Sequence, residues 1–161
     1  MSAIVQGYQL TALNLGRYLK GQSSDITTNG AKTYSIFTVT GGEAMITGLW
    51  AKATVALTVT NTVNVQVVPT AGNTSVIVTA TDLGTTDTTV GTVIGIGAGA
   101  STPAAAKFLV GGSALLGALV TTGSIKSVVT GTGPDGGLDW YCTWLPLTPG
   151  ATVAASTVAP V

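Results

Sequence analysis

With no histidine in the chain, its first candidates for acid–base or nucleophilic chemistry are six carboxylates and one thiol. Asp82 and Asp87 lie close together in one turn-like stretch, and Asp135 and Asp139 in another. Each pair supplies two carboxylates, whereas calcium takes about six to eight oxygens and its loops alternate acidic positions. Aspartates that hydrogen-bond to their own backbone in turns account for both pairs more simply. Cys142 has no histidine to raise its thiolate fraction, so it reads as a small buried apolar residue and not as a nucleophile. Gly95-Ile96-Gly97-Ala98-Gly99-Ala100 carries the glycines of a dinucleotide-binding loop. That loop must open a helix and be followed by an acidic residue, yet here Pro103 follows and no carboxylate occurs between Asp87 and Asp135. The segment reads instead as a flexible loop or as a strand end that another group approaches closely. The sequence therefore predicts no enzyme, no metal, no cofactor and no catalytic residue.

Charge narrows the partners. Six basic and six acidic residues give a net charge of zero, and six scattered cations cannot form the basic stripe that neutralises a phosphate backbone, so nucleic acid is not an expected partner. The first residues lack the basic start and apolar run of a secretory signal. The most apolar stretch, Phe108 to Val120, holds three glycines and falls short of the roughly 18 residues of a membrane helix, so no membrane partner is expected either. Without an export signal, the glycosylation pattern Asn73-Thr74-Ser75 carries little weight. Charged residues make up 7% of the chain, against about 25% in ordinary soluble domains. A surface so poor in charge suits a subunit covered by neighbours better than a freely diffusing domain.

The elements that would position these groups are strands. Threonine and valine account for 48 of 161 residues, and β-branched side chains fit a pleated surface better than a helix. From Val55 to Val67 the apolar residues Val55, Leu57, Val59, Val63, Val65 and Val67 alternate with mostly polar ones, the period of a strand with one buried face. In 32–40 the same period places Tyr34 and Ile36 on one face and Phe37 and Val39 on the other. In 138–146 it groups Trp140, Cys142 and Trp144 against Tyr141, Thr143 and Leu145, one set facing the core and the other free to meet a partner. Trp50 admits both readings.

Turn residues at Asn29-Gly30, Gly41-Gly42, 69–73, Gly111-Gly112, 131–137 and Pro149-Gly150 separate expected strands at 32–40, 43–59 (bent at Gly48), 62–68, 74–80, 90–97, 106–110, 113–121, 124–130, 138–146 and 151–155. Ten short strands without a helical pattern between them predict an all-β chain, a jelly-roll-like β-sandwich at 31–161. Residues 1–30 form an extended N-terminal arm in this reading. Its apolar residues need a surface to pack on, either a partner or, as an extra strand, the domain itself.

The successions Met45-Ile46-Thr47-Gly48-Leu49-Trp50-Ala51-Lys52-Ala53-Thr54-Val55, Val67-Val68-Pro69-Thr70-Ala71-Gly72, Ala80-Thr81-Asp82-Leu83, Gly123-Ser124-Ile125-Lys126 and Trp140 through Val153 resemble small structural proteins of tailed bacteriophages, of the capsid decoration (cement) or minor virion type. The likeness covers roughly 43–155 and leaves the arm outside it. It implies a non-enzymatic virion protein, made in the host cytoplasm. Such a protein sits as a homotrimer on the outer capsid surface and binds the major capsid protein. Tyr8, Leu10, Leu13 and Tyr18 of the arm are the candidate contacts with the shell. The alternative is a tail- or fibre-associated sandwich that binds host-surface carbohydrate through an aromatic platform supplied by Trp50, Trp140 or Trp144.

Overall fold

The computed structural model describes residues 16–27, 31–97, 106–110, 117–131, 133 and 135–161. Every regular element among them is a strand: β1 (Arg17–Lys20), β2 (Ser24–Asp25), β3 (Lys32–Thr40), β4 (Ala44–Val55), β5 (Asn61–Pro69), β6 (Ser75–Asp82), β7 (Val93–Gly97), β8 (Ala106–Val110), β9 (Ala118–Val120), β10 (Gly123–Gly131), β11 (Gly137–Pro146) and β12 (Thr152–Ala155). The first sheet has the order β1-β11-β4-β7-β8, with β2 also paired to β11 and β9 to β4. The second has the order β12-β3-β10-β5-β6. All pairings are antiparallel except β7 with β8. From β3 onward only β5–β6 and the run β7–β8–β9 stay within one sheet, so the chain repeatedly crosses between layers. This order establishes a two-sheet β-sandwich without establishing a jelly-roll succession within it.

One cluster fills the space between the sheets. Ile46, Ala51, Ile94, Leu138, Trp140 and Cys142 come from the first, and Tyr34, Phe37, Val39, Val63, Val65 and Ile125 from the second, each 0–2% exposed. The alternation in β5 is realised directly, with Val63, Val65 and Val67 inward. Just before it, Leu57 is fully buried while Val55 and Val59 are 43% and 41% exposed, because β4 ends at Val55 and the period breaks there. In β3 the strict alternation also fails. The register to β10 runs from Phe37 opposite Ile125 to Ser35 opposite Lys126, skipping Ile36. That bulge shifts the pleat by one residue, so Tyr34, Ile36, Phe37 and Val39 are all buried and do not divide between two faces.

Residues 16–27 lie within the sandwich. β1 pairs with β11 from Arg17 opposite Trp144 to Lys20 opposite Tyr141. The Gly21 N–H then donates to the Trp140 carbonyl (2.8 Å) and the Gln22 N–H to the Ile36 carbonyl (3.0 Å), which joins one sheet to the other along this side. Ile26 is fully buried, and the Tyr34 hydroxyl donates across the core to the Asp25 carbonyl (2.6 Å). The extra docked strand considered for segment 1–30 therefore describes its residues 17–25.

Candidate functional site

The outer face of the first sheet is where aromatic side chains reach the surface. Alternation along β11 turns Trp140, Cys142 and Trp144 into the core at 0%, 0% and 4% exposure and sends Tyr141 and Thr143 outward. Trp50 on β4 lies opposite Tyr141 in register, and Tyr18 arrives on β1, one residue out of step with Leu19 and its buried partner Cys142. The three rings form a nearly equilateral triangle, with centroids 6.1 Å apart for Tyr18–Trp50, 6.0 Å for Tyr18–Tyr141 and 6.0 Å for Trp50–Tyr141. Their planes stay within 35° of parallel. Glycines flank the indole: Trp50 stands opposite Gly95 of β7, and Gly48 lies beside it, where a Cβ would be in ordinary contact with the ring at 3.5 Å. Tyr18 remains 64% exposed.

A polar group borders the rings. The Lys20 ammonium donates to Asp139 Oδ2 at 2.6 Å, the Ser23 hydroxyl donates to Oδ1, and the Tyr141 hydroxyl reaches Oδ2 at 3.4 Å. Partial burial pushes the Asp139 carboxyl up, but the hydrogen bonds from Lys20 and Ser23 and the lysine charge outweigh it and hold the group below the ordinary carboxylate value. The hydrogen bond to Asp139 in turn raises Lys20. Lys20 also lies 5.9 Å from the Tyr141 ring centre, and Arg17 lies 5.2 Å over the Trp144 ring. On the other side of Tyr141, Thr47 donates to Thr143 at 2.9 Å.

The remaining sequence candidates separate into other places. Tyr8, Leu10, Leu13 and the fingerprint residues Ala98, Gly99, Ala100 and Pro103 lie outside the described residues, as does part of the expected strand 113–121. Trp140 and Trp144 are core residues, which leaves Trp50 as the tryptophan at the surface. Asp82 closes a turn. The Thr85 hydroxyl and the amides of Gly84 (2.8 Å), Thr85 (3.2 Å) and Asn61 (3.3 Å) donate to it and lower its pKa. Asp135 receives the amides of Thr58 and Val59. Partial burial raises this carboxyl and those amides more than offset it. Asn61 ties the two loops together, its side-chain amide donating to the Asp135 carbonyl at 3.2 Å. Both aspartates are thus committed to backbone amides, and among the described residues no three acidic, histidine or cysteine side chains gather as a metal site. Cys142 is buried, which pushes its thiol up to about 12. A groove of about 440 Å³ on the second sheet, bordered by Thr38, Lys126 and Val158 among others, carries no titratable pair.

Sequence reasoning had named Tyr18, Trp50 and Tyr141 separately. What it missed is that they meet, and that Lys20 and Asp139, 119 positions apart, pair beside them. No local pattern signals a contact made by strand order. Comparison with family models, with curated proteins and with solved structures gives no match.

Proposed function

We propose that this protein is a non-enzymatic structural subunit of a virion, a capsid decoration protein that binds the outer face of the major capsid lattice and stabilises the head. The observation that carries the reading is the surface. With only six cations and six anions in 161 residues, large apolar side chains stand exposed on both sheets and in the loops. They include Tyr18 (64%) and Leu119 (57%) on the first sheet, Val76 (57%) on the second, and Val90 (64%) and Leu147 (48%) in connections. Scattered exposed apolar residues are ordinary, but together with so little charge they describe a domain that lives packed among neighbours. The resemblance of residues 43–155 to phage structural proteins supplies the particular assembly.

The physical role follows from linkage. A clip that binds only the expanded shell stabilises that state by mass action, and many copies add through multivalency even when each contact is weak. Residues 1–15 precede Gly16 and edge strand β1, so a contact made by Tyr8, Leu10 or Leu13 would be anchored directly to the sandwich. The test is to heat purified shells lacking the protein, with and without the added full chain, and to follow release of their DNA. The reading expects release to move to higher temperature in proportion to the copies bound. Unchanged release at saturating protein would refute it.

A further inference from the structure

The Tyr18–Trp50–Tyr141 face has a chemistry beyond the exposed apolar area that the assembly reading takes from Tyr18. We infer that it is a saccharide-binding platform, taking a stretch of uncharged polysaccharide laid along the sheet, with the rings under the sugar C–H faces and Lys20, Ser23 and Asp139 bonding its hydroxyls.

The ligand class follows from what the geometry admits. Quaternary ammonium groups are held by rings turned toward a common centre. Here the rings lie within 35° of parallel, and the Lys20 ammonium beside Tyr141 repels a second cation. Nucleobases stack on such rings, but their backbone demands a run of cations, whereas this border pairs Lys20 with Asp139 at 2.6 Å and adds only Lys52, which stands opposite Asp139 in the β4–β11 register. A single net positive charge is likewise too little for an acidic polysaccharide or an anionic lipid surface. An apolar small molecule would need an enclosing cavity, whereas Tyr18 here is 64% exposed.

A neutral polyol meets each feature. One face of a sugar ring is apolar, and a triangle about 6 Å on a side spans a single ring, with Tyr and Trp supplying apolar area and polar edges together. The polar border is ordered before any ligand arrives, since Asp139 already holds Lys20, Ser23 and Tyr141. Its carboxylate keeps acceptor capacity and the ammonium keeps two donors, so little ordering entropy opposes binding. A flat site on each subunit binds weakly, and an array of subunits on one particle multiplies it.

The experiment is native electrophoresis of the full chain in gels containing dextran, mannan, galactan or polygalacturonate, with tryptophan fluorescence titrations alongside. Trp50 is the one indole among the three that solvent and ligand can reach, since Trp140 and Trp144 are 0% and 4% exposed. The inference expects retardation and a fluorescence change with at least one neutral polymer and none with polygalacturonate. Trp50→Ala and Tyr18→Ala should each weaken retardation by about tenfold, on the order of 1.4 kcal/mol, while Val76→Ser on the other sheet leaves it intact. Tyr18 is largely exposed, so its variant folds even where loss of Trp50 disturbs β4. Retardation by none of the neutral polymers, or retardation that survives both aromatic variants, or preference for the acidic polymer, overturns the inference. So does loss of shell binding in those variants without any gel retardation, which would make this face a protein contact. The shell-heating result stands apart from every one of these outcomes.

Discussion

Replacing Ser127 with alanine should make the protein more stable. Ser127 sits inward near the middle of β10, between Tyr34 of β3 and Val65 of β5 in register. It is 0% exposed, and its hydroxyl has no hydrogen-bond partner among the described residues. A buried hydroxyl left unpaired costs about 1–3 kcal/mol relative to its hydrated state. Ser127→Ala removes that cost. The space of one oxygen left behind returns only a few tenths of a kcal/mol as cavity, at about 24 cal/mol per Å³. The net gain is about 1 kcal/mol, which for a domain of this size raises Tm by about 2–4 °C. Urea unfolding followed by the fluorescence of core residues Trp140 and Trp144 measures it, with the midpoint moving up and the slope unchanged. A loss of stability in the alanine variant would refute the reasoning, because it would mean that the hydroxyl has a partner in the folded protein.

Other expectations follow from the same geometry. A Cβ at Gly84 would stand 1.6 Å from the Val59 carbonyl oxygen, so Gly84→Ala should destabilise by about 2–3 kcal/mol or more, read by thermal unfolding. Asp82, Asp135 and Asp139 all lie below the ordinary value of 3.8. Their folded forms release protons more readily than the unfolded chain, so their contribution is complete above about pH 4 and is lost as pH falls through the lowered values. Acid titration should show this limb, and Asp82→Asn combined with Asp135→Asn should flatten it. Burial raises the Tyr34 hydroxyl, so its contribution is present at neutral pH and is lost only as pH climbs past the ordinary tyrosine value of 10.0. Alkaline unfolding should begin later in Tyr34→Phe. Cys142, with its thiol raised to about 12, should resist thiol reagents at pH 8 in the folded protein and react promptly in urea.

Much of the sandwich was legible because β-branched residues and turn glycines mark it locally. The expected strand at 32–40 matches β3, and 62–68, 124–130 and 138–146 match β5, β10 and β11 to within a residue or two at each end. The bend expected at Gly48 coincides with a register shift in the β4–β11 pairing, where Thr143 faces Gly48 and Trp144 faces Ile46. Strands β1 and β2 escaped because Arg17-Tyr18-Leu19-Lys20 and Ser24-Asp25 are short and carry charge, the composition that edge strands use against unwanted pairing. Their pairing with β11 is decided by contacts more than a hundred residues away. The bulge at Ile36 was invisible for a related reason, since both registers of that apolar run look alike in one dimension. The aromatic triangle was half legible. Period two put Tyr141 and Trp140 on opposite faces without saying which faced the core, and only the order β1-β11-β4 brings Tyr18, Tyr141 and Trp50 together.

The most direct test of the assembly role is co-sedimentation of the full chain with emptied shells, with light-scattering mass of the free protein measured in parallel and a chain lacking residues 1–15 as the comparison. This deletion removes no residue of β1 or of any later strand. The account predicts a trimer in solution that pellets with shells at a fixed ratio to the major capsid subunit, and much weaker pelleting without residues 1–15. A protein that stays in the supernatant at every shell concentration, in both forms, would contradict it.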